Sequence, residues 1–110
     1  MAKTQNSVTL VGYLGADPVL RKAVNGKSYT KFRMATNSYW RKPDGSIVRK
    51  AIWHTIMIWN HLADALVETF IKGSHVMIQG SIRNEKFTGK DGTQVFFSHV
   101  VASKVTDLDR

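Results

Sequence analysis

Two indoles and a guanidinium fall on alternate positions of one apolar stretch: Arg49, Trp53 and Trp59, among Ile47, Ala51, Thr55 and Met57. In a β-strand, alternate side chains point to opposite faces, so these odd-numbered residues share one side. The even-numbered set, Val48, Lys50, Ile52, His54, Ile56 and Ile58, takes the other and reads as a core face, with Lys50 at its frayed start. Burying isoleucines while leaving two tryptophans in water needs a reason. Flat rings stack on flat rings, and cations attract phosphate. Together they suit a chain of heterocycles joined by phosphates, each base worth ~1–3 kcal/mol when stacked.

Two further stretches repeat the pattern. Near 27–39, Thr30, Phe32, Met34 and Thr36 suit an interior, while Tyr29, Lys31 and Arg33 share the opposite face. Near 74–88, Arg83 and Phe87 share parity with His75 and Gln79, opposite Val76, Ile78 and Ile82. Trp40 has the even parity of an inward position, but it ends its strand beside Arg41 and Lys42, where a bend or bulge would turn it outward. Aromatics and cations on the outer faces of three strands form a groove for a single strand, because a duplex hides its base faces. The same rings would also suit a protein interface. Basic residues beside the rings on each strand favour nucleic acid.

Charge follows the same stretches. Sixteen Lys and Arg oppose eight Asp and Glu, a net charge of +8. From Arg21 to Lys50 run nine basic residues, Arg21, Lys22, Lys27, Lys31, Arg33, Arg41, Lys42, Arg49 and Lys50, against one acid, Asp44. The whole excess therefore lies in one segment, whose field attracts polyanions. Catalysis finds no support. His54, His61, His75 and His99 are scattered without metal-ligand spacing, cysteine is absent, and no glycine-rich loop opens a helix. No cofactor or metal is expected.

The elements that position these residues are mostly strands. A first strand at 7–14 precedes a short one near 19–24, a long one at 27–39 and another at 47–60. Two more, at 74–88 and 94–105, follow. Asn25-Gly26, Pro43-Asp44-Gly45 and Lys90-Asp91-Gly92 mark turns between them. In 61–72, Leu62, Ala65, Leu66, Thr69 and Phe70 have helical spacing, with Asn60 as cap and Gly73 as terminator. The order is three strand units, one helix, then two strands. The expected fold is all-β, a five-stranded OB-fold Greek-key barrel with one α-helix between strands 3 and 4. An SH3-like barrel or a helix-covered open sheet would fit the same order. At 110 residues the chain suits one domain, 1–106, with 107–110 a short remnant. The N-terminus lacks a signal-peptide stretch, no segment is long enough to span a bilayer, and a cytoplasmic location is expected.

The stretch from Asn6 to Pro18, with Asn25-Gly26, Ala35-Thr36 followed by Trp40, Trp53-His54, and Lys72-Gly73-Ser74 through Gln79-Gly80, resembles bacterial single-stranded DNA-binding proteins over nearly the whole chain. The resemblance implies an OB-fold that assembles as a homotetramer and wraps DNA, working on the nucleoid in replication, recombination and repair. It places base stacking on Trp40, Trp53, Trp59 and Phe87, and basic contacts on Arg21, Lys72, Arg83 and Lys86. These join Lys31, Arg33, Arg41, Lys42 and Arg49 from the charge pattern. His54 matches an interface histidine of the family. Glu85 stands where a basic residue is usual, which should weaken phosphate contact along its hairpin. The family's flexible linker and acidic tip are missing after Val105-Thr-Asp-Leu-Asp-Arg110, so tail-mediated recruitment of replication and repair partners is not expected of this chain. A dimeric, primosome-type or RNA-binding OB protein and a protein-docking barrel are the competing binding classes.

Overall fold

The hydrogen-bond ladder between two long strands organises the computed structural model, which describes residues 5–109 apart from the side chain of Phe87. The strands are β1 (Val8–Leu14), β2 (Arg21–Lys22), β3 (Ser28–Arg41) and β4 (Ile47–Trp59). Helix α1 (Asn60–Thr69) follows, then β5 (His75–Thr88) and β6 (Gln94–Asp107). Their order in the sheet is β1-β5-β6-β4-β3-β2. Pairing of Tyr13 and Leu14 in β1 with Ala35 and Met34 in β3 closes it. The two-residue β2 only extends the edge of β3, at Arg21↔Tyr29 and Lys22↔Ser28. Five long strands therefore make the barrel, with the helix between the third and fourth. This is the expected OB-fold.

Three hairpin turns share one chemistry. In 23–27, 42–46 and 89–93 the first residue's N–H donates to the fifth residue's carbonyl, and the fourth is a glycine at positive φ. In each, an Asn or Asp just before the glycine accepts the N–H two residues on: Lys27 to Asn25, Ser46 to Asp44, Thr93 to Asp91. A side chain that mimics a backbone turn, followed by a residue free to go left-handed, is a local instruction.

The core comprises Leu14, Phe32, Met34, Ile56, Ile58, Val76, Ile78, Val100 and Ala102, closed at one end by Ala63, Leu66 and Phe70. Here the helix departs from expectation in three ways. Its buried face runs through Leu62, Ala63, Leu66, Val67 and Phe70, while Ala65 and Thr69 are exposed. Asn60 makes no side-chain cap; it adopts φ +60° as the chain turns out of β4. The helix also stops at Thr69, ahead of Gly73, whose N–H instead donates to Leu14 O across to β1. Tertiary docking, not local spacing, sets which face is covered.

The strands outrun the barrel. In β4 the even face is buried only at Ile56 and Ile58; Ile52 is exposed. Ile82 in β5 is exposed as well. Beyond these points the β3–β4 and β5–β6 hairpins project as two arms. Gly12 permits the closure, because a Cβ there would collide with the backbone carbonyl of Ala35 in β3. Gly12→Ala should force β1 off β3 and destabilise the fold by about 2 kcal/mol or more, within the range of overpacked or strained sites. Urea denaturation reads this directly, and an unchanged midpoint would show that the crossing yields.

Candidate nucleic-acid interface

The β3–β4 ladder runs without a register break from Tyr29↔Trp59 to Arg41↔Ile47. Residues directly opposite share a face, so Tyr29, Lys31, Arg33, Trp53, Met57 and Trp59 form one continuous outer surface. Arg21, Tyr29 and Trp59 lie in a row across three strands. The Tyr29 and Trp59 rings sit 5.1 Å apart, tilted by 38°. The parallel pairing of Met57 with Val101 brings β6 alongside, and β5 follows with Arg83↔His99 and Glu85↔Phe97.

Cations lie over rings on this surface. Arg33 Cζ is 5.1 Å from the Trp53 ring, Lys31 Nζ is 5.6 Å from Phe97, and Arg49 Cζ is 5.4 Å from Tyr39. Each contact is worth ~0.5–1 kcal/mol at an exposed site. The larger consequence is positional, since ring and charge are presented together. Trp53 is 47% exposed, and its six-membered edge rests against Gly15, where a Cβ would stand 2.5 Å from Cζ3. The glycine in the β1 exit thus serves as a bed for the indole.

Asp44, the one acid of the basic segment, is occupied in its own turn. The hydroxyl and the N–H of Ser46 donate to it at 2.6 and 2.9 Å and hold its carboxyl below the usual carboxylate range.

The sequence-predicted residues do not all meet. Trp53, Trp59, Arg21, Lys31, Arg33, Arg49 and Arg83 share the aromatic surface. Trp40 is exposed, but no bulge or bend in register turns it: it keeps its even parity opposite Val48, and it is open because the arm has left the barrel. Arg41 ends β3 at the arm's tip, and Lys42 lies in the turn beyond it. Lys86 pairs with Phe96, out of phase with Arg83 and Glu85 and so on the arm's reverse face. Lys72 is off the sheet, in the turn after α1, where its N–H donates to Asp17. Phe87 pairs with Val95 in the backbone ladder; its side chain, like Arg110, lies outside the described residues. His54 is half-buried on the inner face, its Nε2 2.9 Å from Thr36 Oγ1.

Sequence reasoning missed Tyr39, Phe97 and His99. Tyr39 was within reach, since it shares odd parity with Arg33. Phe97 and His99 were not, because their phase in β6 depends on a bulge. The register shifts between Gln79↔Lys104 and Gly80↔Ala102, leaving Ser103 as an extra residue.

Comparison with known proteins sets this geometry in context. Residues 5–108 match the model of the single-strand binding protein family. The chain is 36% identical over 108 residues to the single-stranded DNA-binding protein of Xylella fastidiosa, covering 98% of this chain and 66% of that one. It is 34% identical over 103 residues to that of Neisseria meningitidis, covering 94% and 59%. The chain thus spans about two thirds or less of these relatives' length. A solved Plasmodium falciparum SSB in complex with ssDNA superposes with a TM-score of 0.86 at 24% identity, over 99% of both chains, a likeness of fold.

If Trp53 rests on Gly15, Gly15→Ala should alter the near-ultraviolet circular dichroism of the indoles while the far-ultraviolet sheet signal stays unchanged. Superimposable near-ultraviolet spectra would show the ring does not depend on that glycine.

Proposed function

The chain belongs to the single-strand binding protein family, and from that premise we propose that it binds single-stranded DNA with little regard to sequence. Bases stack on Trp53 and Trp59, with Trp40 and Phe87 completing the set, while Arg21, Lys31, Arg33, Arg49 and Arg83 neutralise phosphates. Arg41, Lys42, Lys72 and Lys86 contribute at the periphery. The observation that carries the proposal is the unbroken outer face of β3 and β4, on which cations and rings lie side by side. Trp40, on the other side of its arm, is reached by a strand that crosses the arm's edge. The biological role that fits is protection of exposed single strands during replication, recombination and repair, in the cytoplasm on the nucleoid. Nothing in the reading asks for a reaction, and single-strand binding proteins are binding proteins rather than enzymes. Among the described residues no helix is long and apolar enough to cross a membrane.

Titration with unstructured oligo-dT should quench tryptophan emission strongly, less so at higher salt because counterion release then gains less, and hardly at all with duplex. Trp53→Ala should weaken binding about fivefold to a hundredfold, the worth of one stacked base. Glu68→Ala, on the exposed side of α1, should leave it nearly unchanged. Equal losses in the two variants would contradict the proposed face.

Self-association as a homotetramer, with a dimer as the alternative, belongs to the same reading. It would cover Val11 and Tyr13, which the outer side of β1 leaves exposed. His54, half-buried and tied to Thr36, is the residue proposed at a subunit contact. His54→Lys should lower the mass found by light scattering; a mass unchanged from the unaltered chain would remove His54 from the interface.

A further inference from the structure

Glu85 is out of place on a surface that should hold phosphates. It stands two residues after Arg83, and its ladder partner Phe97 carries Lys31 over its ring. Its side chain is 57% exposed, yet it is not adrift: Oε1 lies 3.6 Å from Nε2 of His99. His99 is only 4% exposed, and its ring stacks with Phe97 at 5.8 Å and 30°. Its second nitrogen, Nδ1, is buried with no hydrogen-bond partner.

Nε2 thus faces the carboxylate at 3.6 Å, and the buried ring walls one side of Glu85. The rest of the carboxylate is left over a cleft that it shares with Met57, Trp59, Arg83 and His99. Trp59 is one of the stacking rings, so a base resting there brings its edge to Glu85.

A carboxylate accepts hydrogen bonds and donates none. Phosphate oxygens offer it nothing. Thymine and uracil offer only the ring N3–H, beside a C4 carbonyl that repels a carboxylate. Cytosine, adenine and guanine offer an exocyclic amino group, and pairing of Glu with the cytosine amino group is an established base contact. We propose that Glu85, positioned by His99, reads the exocyclic group of one base in the groove and favours amino-bearing bases there. The proposal rests on the single-strand reading above and refines it, giving an otherwise sequence-tolerant groove one discriminating position. Where a cation at this place would strengthen every nucleotide alike, this anion trades general affinity for a local preference.

The test compares oligo-dC with oligo-dU of equal length at one salt concentration. These bases differ at C4 and in whether N3 carries a proton, and neither has the 5-methyl group of thymine. Equilibrium titrations are made with the unaltered chain, with Glu85→Gln and with Glu85→Lys. The dC-to-dU affinity ratio should fall about threefold to tenfold in Glu85→Gln, whose amide serves amino and carbonyl groups alike. In Glu85→Lys the ratio should shift further toward dU, while both affinities rise. A ratio common to all three proteins, with both oligonucleotides bound, would overturn the base-reading role and leave the single-strand reading standing. Failure of the unaltered chain to bind either one would sink both.

Discussion

One uninterrupted ladder carries the rest of the structure. From Tyr29↔Trp59 to Arg41↔Ile47 the β3–β4 pairing keeps a single register, and a slip of one residue would exchange every inner side chain for an outer one. The register that buries Phe32, Met34, Ile56 and Ile58 is therefore what turns Tyr29, Arg33, Trp53 and Trp59 outward. Core and proposed binding face are two sides of one constraint. A mutation that loosened the core pairing would disorder the groove with it.

Strand β6 solves the opposite problem. It must place Val105 beside Ile78 near one end and Val100 beside Ile82 further along, positions whose parities disagree. The extra residue at Ser103 resets the phase, and its hydroxyl donates to Gln79 O at 3.2 Å. As a result Ala102 and Val100 turn inward while Phe97 and His99 reach the aromatic side. A bulge placed in the barrel wall thus decides what the arm presents.

What the sequence made legible follows from how local each signal is. Strand alternation and the Asn-Gly and Asp-Gly turns are written within a few residues, so the strand order, the hairpins and the outward Trp53 and Trp59 could all be read. The points where the barrel ends could not, because they depend on the closing contacts of Tyr13 and Leu14 with β3. That is why Ile52, Ile82 and Trp40 look like inner residues by parity and are exposed in fact. The helix face was misjudged by one residue for a related reason. Spacing alone allows several adjacent stripes, and docking against the core selects the one through Ala63, Leu66 and Phe70.

The groove also shows how exposed aromatics can be kept available. Rings left in water tend to collapse onto apolar neighbours, which would cost part of the stacking energy when a base displaced them. Here Arg33, Lys31 and Arg49 already lie over Trp53, Phe97 and Tyr39, and Gly15 gives Trp53 a flat backbone to rest on. The rings are thus held by neighbours rather than left loose, and for the proposed stacking role that would reduce the ordering entropy binding must overcome. The cations do two jobs through one position. They hold the rings, and on the proposed reading they would mark the line of positive charge that a phosphate backbone follows. Asp44, the only acid in that basic segment, is committed to Ser46 in a turn at the arm's tip. Along β5 the charge pattern is interrupted instead at Glu85, beside a buried histidine, and it is there that the proposed contact to a base edge would fall.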